Sequence, residues 1–79
     1  MEGPLPEVVR AEIVAGFGSD SIAGVAAMLP EIEELPLNPP YERVLRAIVR
    51  LAEGDSDQLR YYAGEARKDW RDVLYWTGI

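Results

Sequence analysis

RVLRAIVRLAEGDSDQLRYYAGEARKDWRDVLYW, residues 43–76, is the stretch whose reading decides the fold. It divides at Gly54-Asp55-Ser56-Asp57-Gln58. Glycine suits the position just past a helix end, because it takes a left-handed backbone without a Cβ clash. Asp55 then suits the N-cap of a following helix, with Gln58 three residues on to complete a capping box. Asp57 lies in the first turn, facing the positive end of the helix dipole. A stop and a start this close predict an αα-hairpin.

Working outward, the first helix of the pair is expected over 39–53. Asn38 is its expected N-cap, and Pro39-Pro40 falls where a missing N–H is harmless. Tyr41, Val44, Leu45, Ile48, Leu51 and Ala52 recur at helical spacing as one apolar stripe. Arg43, Arg46 and Arg50 fall opposite, with Glu42 placed for an ion pair to Arg46. The second helix is expected over 56–76, burying Leu59, Tyr62, Ala63, Ala66, Trp70, Val73 and Leu74. Tyr61, Lys68 and Tyr75, seven apart, lie on its far side, with Gly64 beside them and Trp76 at the edge. A solvated face does not carry such a set, and Tyr and Trp are enriched at interfaces.

Upstream, residues 6–16 read as a helix with Pro6 at its first position. Val9, Ile13 and Phe17 form one apolar line and Val8, Ala11 and Ala15 another, so contact on two sides is expected. A strand over EIVAGF is the competing reading; the chain shows no second strand to pair with it. Ser19 or Asp20 is positioned to cap a helix over 20–29, with Ile22, Val25, Ala26 and Leu29 inward. Its other face, Ala23, Gly24 and Ala27, is small enough for close approach by another helix. Glu31 to Glu34 fits one short helical turn. The segment 30–38 is expected to be an extended crossover, since a residue before proline is pushed out of the α region. Met1 to Pro4 is expected to fray.

These elements make one all-α domain, a compact four-helix unit with a C-terminal αα-hairpin. The 79 residues, opening with methionine, suggest a whole small protein. A domain of this size buries a modest core, and oligomerisation is a common remedy. The chain has no cysteine and no histidine, which removes disulfides, thiol nucleophiles and thiolate or imidazole metal sites. An acidic, proline-rich start is no signal peptide, and no apolar run reaches the length of a membrane span. A cytoplasmic location is the expectation.

The net charge is −6, and it is unevenly placed. Residues 1–40 hold seven acids and one base, Arg10, whereas residues 41–79 hold seven of each. Nonspecific nucleic-acid binding rests on cationic contacts to phosphate, so no nucleic-acid partner is expected. Arginine supplies seven of the eight basic residues, a composition that fits a GC-rich bacterial genome.

Catalysis has little to stand on. The lone lysine, Lys68, and the serines at helix starts are the nucleophile candidates, and none has an evident base beside it. Glu65, Asp69 and Asp72 share helical spacing, and Glu31, Glu33 and Glu34 form an acidic run. Neither has a metal-loop pattern, so no metal or cofactor is expected and both read as charged surface. No phosphate-binding glycine motif occurs. Arg43, Arg46 and Arg50 form the candidate face for an anion, an acidic partner or the chain's own acidic half. Tyr61, Gly64, Lys68, Tyr75, Trp76, Ala23 and Ala27 form the candidate interface.

The C-terminal half also resembles a set of small bacterial proteins without assigned function. They share a helix, a Gly-Asp turn and a helix bearing Asp-aromatic-Arg-Asp-Val-Leu. Gly54, Asp55, Leu59, Arg60, Asp69, Trp70, Arg71, Asp72, Val73 and Leu74 carry the likeness, which does not reach residues 1–37. It implies a helical fold and bacterial origin, and no activity.

The function expected is a noncatalytic interaction module, a homodimer through the last helix and the small-residue face of the second. One alternative is an accessory or inhibitor subunit, antitoxin- or immunity-like, that turns its acidic half toward a basic protein. The other is a small-molecule or phosphate binder.

Overall fold

The computed structural model describes residues 5–78, so the expected frayed terminus, residues 1–4, lies outside the described residues. The architecture is all-α: α1 (Glu7–Phe17), α2 (Ile22–Met28), α3 (Tyr41–Ala52) and α4 (Ser56–Thr77), with 3-10 turns at Ser19–Ser21 and Ile32–Glu34. The strand reading of residues 12–17 is excluded, because this segment is the second half of α1.

α3 is the centre. Val44, Leu45, Ala47, Ile48, Val49 and Ala52 are all buried, a wider arc than the expected single stripe. The reason is that α3 packs against α1 on one side and α4 on the other. Val9 and Ile13 of α1 and Leu59, Ala63, Ala66 and Val73 of α4 supply the opposing apolar surface, with Val25, Leu29 and Leu35 closing the core.

The α3–α4 turn forms with Asp55 as the expected cap but without the capping box, since the Asp55 N–H donates to the Ala52 carbonyl and not to Gln58. Glu53 and Gly54 both take left-handed backbones, at φ 52° and 80°. Asp55 caps α4, its carboxylate accepting the N–H of Asp57 at 2.8 Å and of Gln58 at 3.2 Å. Other caps differ from expectation. Pro6 stands at the N-cap of α1, with its carbonyl accepting from Val9 and Arg10. Neither Ser19 nor Asp20 caps α2; they belong to the 3-10 turn, where the Ser21 hydroxyl donates to the Phe17 carbonyl. Asn38 does not cap α3, because it takes a left-handed backbone at φ 51° and leaves Pro40 as an N-cap without a side-chain bond.

The 30–38 crossover is more structured than an extended chain. It holds the Ile32–Glu34 turn, closed by a capping box between Glu31 and Glu34, and left-handed residues at Leu37 and Asn38. Leu35 is buried and anchors it from below. The Tyr41 hydroxyl donates to the Pro30 carbonyl at 2.7 Å, Arg67 pairs with Glu34 at 2.9 Å, and the Trp70 indole N–H donates to the Pro36 carbonyl.

The largest departure is in α4. It is not one straight helix over 56–76: Asp69 is non-helical at φ −160°, ψ 98°, and divides it into arms 56–68 and 70–77. The Asp69 carboxylate accepts the Arg71 backbone N–H at 3.1 Å, so Asp69 is the N-cap of the second arm. The turn is sharp. The rings of Tyr62 and Trp76 have centroids 6.0 Å apart, whereas fourteen residues of straight helix would separate them by about 21 Å.

Two glycines test the packing with opposite signs. At Gly54 the backbone is left-handed, and a Cβ would stand 2.7 Å from the Gly16 carbonyl oxygen. Gly54→Ala is therefore expected to destabilise by about 2–4 kcal/mol. At Gly24, inside α2, a Cβ meets nothing within 4 Å. Gly24→Ala is expected to stabilise by about 0.5–1 kcal/mol, by restricting the unfolded chain. Urea unfolding of both variants checks the pair.

Candidate functional site

The exposed aromatic surface is built by the break in α4. Tyr61 and Tyr62 meet edge to face with centroids 5.0 Å apart, and Tyr62 meets Trp76 at 6.0 Å in the same manner. Such T-shaped pairs are favoured by the ring quadrupoles. The three rings line a shallow hollow of about 250 Å³. Tyr62, half-buried against the core, is the hinge of the cluster; Tyr61 is 55% exposed and Trp76 45%. Tyr75 is 83% exposed.

The break also separates residues that a straight helix aligns. Tyr61, Gly64 and Lys68 belong to the first arm, and Tyr75 and Trp76 to the second. Lys68 lies near Glu65, Nζ to Oε2 3.4 Å, and is exposed. Ala23 and Ala27 lie elsewhere, exposed on α2, where they line a groove of about 690 Å³ with Leu5, Leu29, Ile32 and Tyr41. The aromatic cluster and this groove share no lining residue.

The arginine face is engaged within the chain. Arg46 Nε stands 3.4 Å from a Glu12 carboxylate oxygen, and Arg50 donates two hydrogen bonds to the same carboxylate. Glu12 is only 18% exposed, and the Arg50 guanidinium holds its carboxyl below the usual value, with Arg46 helping. Arg46 therefore turns to α1 and not to Glu42. Arg43 has no ion-pair partner among the described residues. Two of the three arginines are thus bound to the acidic half of their own chain.

Among the described residues no group of three or more acids is placed to hold a metal ion. Asp69 instead pairs with Arg71 at 2.9 Å, which lowers its carboxyl pKa. Glu34 is likewise lowered, first by Arg67. Burial pushes the Tyr41 phenol up, with Glu31, Glu33 and Glu34 adding to it, so it stays a donor to Pro30.

A second uncovered surface lies on α1. α1 was expected to be contacted on both sides, but only Val9 and Ile13 are buried. Val8, Ala11, Val14 and Ala15 are exposed, since α1 packs mainly on α3, the Ser19–Ser21 turn and the short α2. Val8, Ala11 and Ala15 share a hollow with Glu12 and Arg46. The doubled apolar lines of α1 were the available signal.

No helix among the described residues is long and apolar enough to cross a membrane. Comparison with models of known families, with curated proteins and with solved structures returns no match.

The Glu12 cluster sets a pH dependence. Its folded pKa lies below the unfolded value of roughly 4.3. Its contribution is present above the unfolded value and is lost as pH falls through the folded one. Glu12→Gln is expected to cost up to about 1 kcal/mol at neutral pH, since the pair is partly screened by water. The variant should also lose less stability than the wild type on acidification. Urea unfolding across that acid range decides it; parallel profiles would show that Glu12 contributes nothing.

Proposed function

We propose that this chain is a noncatalytic protein-interaction module that self-associates through the aromatic end of α4. One observation supports the reading most directly. Tyr61, Tyr75 and Trp76 stay substantially exposed after folding, although the chain has turned α4 back on itself at Asp69. Tyrosine and tryptophan supply large contact area with few rotatable bonds, which is why they dominate interface energetics. Each exposed ring adds apolar area whose removal from water is favourable by about 25 cal/mol per Å². A bacterial, cytoplasmic setting and kinship with the small helical proteins noted above belong to the same reading, as does the lack of a nucleic-acid partner in a chain of net charge −6.

The two alternatives draw less support. A basic partner would meet an acidic half in which Glu12 and Glu34 are already paired with arginine. An anion would have to displace Glu12 from Arg46 and Arg50.

Sedimentation equilibrium over a range of concentrations tests the module directly. A dimer is expected, and Tyr75→Glu should shift it toward monomer while leaving the melting temperature of the monomer nearly unchanged. A wild-type chain that stays monomeric at every concentration overturns self-association. Tight, salt-sensitive capture of a basic protein by that monomer would turn the assignment to the accessory-subunit alternative.

A further inference from the structure

The aromatic hollow on α4 does not stand alone. Tyr62 lines it with Tyr61 and Trp76, and also lines a second hollow of about 460 Å³ beside the α3–α4 turn, with Glu53, Asp55 and Gln58. One half-buried ring thus joins an aromatic hollow to an acidic one. Among the described residues, no arginine or lysine lines either.

The rings are set to offer their faces. Tyr62 stands at 75° to Tyr61 and at 65° to Trp76, so the three form corners and not a parallel stack that hides face against face. Tyr61 and Trp76 are exposed, and solvent reaches them. The face of an aromatic ring is the negative part of its quadrupole and attracts a cation, that of tryptophan most strongly.

The acidic side is uncompensated. Neither Glu53 nor Asp55 enters an ion pair among the described residues. Glu53 is the C-cap of α3 at φ 52°, where the negative end of the helix dipole opposes a carboxylate. Asp55 caps α4 through Oδ1, which takes both hydrogen bonds. The positive end of α4 is already met by Asp55 and by Asp57 in its first turn. The corner is therefore negative, and what would complement it is a cation.

We propose that the two hollows form one binding site for an alkylated ammonium ion. Its head lies against the rings of Tyr61, Tyr62 and Trp76. Hydrogen-bond donors of its tail reach the Glu53 and Asp55 carboxylates and the Gln58 carboxamide. Alkylation is what suits the head to the rings. A primary ammonium carries three N–H donors that need acceptors, and burying them against rings leaves them unsatisfied at a cost. The site goes beyond self-association and does not depend on it, since Tyr75 lines neither hollow.

The test titrates choline into the full chain at constant ionic strength, against 3,3-dimethylbutan-1-ol, which has the same shape without the charge. The upfield ring-current shift of the N-methyl protons and the movement of the Trp76 indole N–H signal read the binding. Wild type and Tyr75→Glu are both titrated, so that a dimer covering Tyr61 and Trp76 does not mask the site. Choline is expected to bind roughly tenfold more tightly than the neutral isostere. Trp76→Leu should weaken choline by about fivefold or more, whereas Trp76→Phe, which keeps a ring face, should retain most of the affinity. Glu53→Gln should weaken it about two- to threefold, as expected of one partly screened charge. Unchanged melting temperatures show that these variants remain folded. A short peptide carrying trimethyllysine separates the two sources of such a head: tighter binding than choline assigns it to a side chain, weaker binding to a free small molecule. Equal affinity for choline and its isostere overturns the site, as does choline binding that Trp76→Leu leaves unchanged. Absence of any shift in both wild type and Tyr75→Glu also overturns it. None of these results bears on self-association, which sedimentation decides separately.

Discussion

The fold depends on burying α3 from two sides at once. Six of its twelve residues are buried, too wide an arc for one neighbouring helix to cover. α1 must therefore close one flank and α4 the other, and their positions follow from that need. Hydrophobic burial is non-directional, so it does not by itself set how the flanking helices are joined or where they end. Those details fall to polar groups at the helix termini, where unsatisfied N–H and C=O groups must find partners.

The crossover shows how this division works. Leu35 is an apolar anchor midway between α2 and α3, with Leu29 and Pro30 buried where the crossover begins. Around it, Tyr41, Arg67 and Trp70 each bond to a different point of the 30–36 segment. Two of these three come from α4, so the crossover and the end of the chain fix each other. The Trp70 bond also sits one residue beyond the Asp69 break, which ties the direction of the second arm to the crossover. The segment is held both by its own Ile32–Glu34 turn and by donors from α3 and α4.

Much of this was legible in the residues. The four helices, the Gly54-Asp55 turn and the Asp55 cap follow from local chemistry that needs no tertiary context. The break at Asp69 was missed although its signal is present: Asp69-Trp70-Arg71-Asp72 has the same acid-x-x-acid or amide form as Asp55-Ser56-Asp57-Gln58. The difference lies in what precedes each. Gly54 stops a helix before Asp55, whereas Lys68 stops nothing, and apolar periodicity runs through from Leu59 to Leu74. A cap signature inside a periodic stretch is ambiguous, because Asp tolerates a helix interior at a modest cost. Only the packing of Val73 and Trp70 decides it. Asp69 and Arg71 form the start of the second arm. The fate of the candidate site was less legible. Seven-residue spacing of Tyr61, Lys68 and Tyr75 describes a face only if the helix is straight.

The charge asymmetry carries a similar lesson about what composition encodes. Seven acids against one base in residues 1–40 looks like a surface for a foreign cation. Yet Glu12 is taken by Arg46 and Arg50, and Glu34 by Arg67. Each pair links an acid of the first half to an arginine more than thirty positions later. Ion pairs so placed add little stability when exposed, but a wrong docking of α1 or of the crossover would bring like charges together. Two of those seven acids thus serve register within the fold. The aromatic surface has no such internal claim on it, since Tyr75 and the outer faces of Tyr61 and Trp76 meet water while the other large apolar side chains of α4 are buried or half-buried. For a chain with so small a core, this exposed ring area is the ground for the self-association through α4 proposed above.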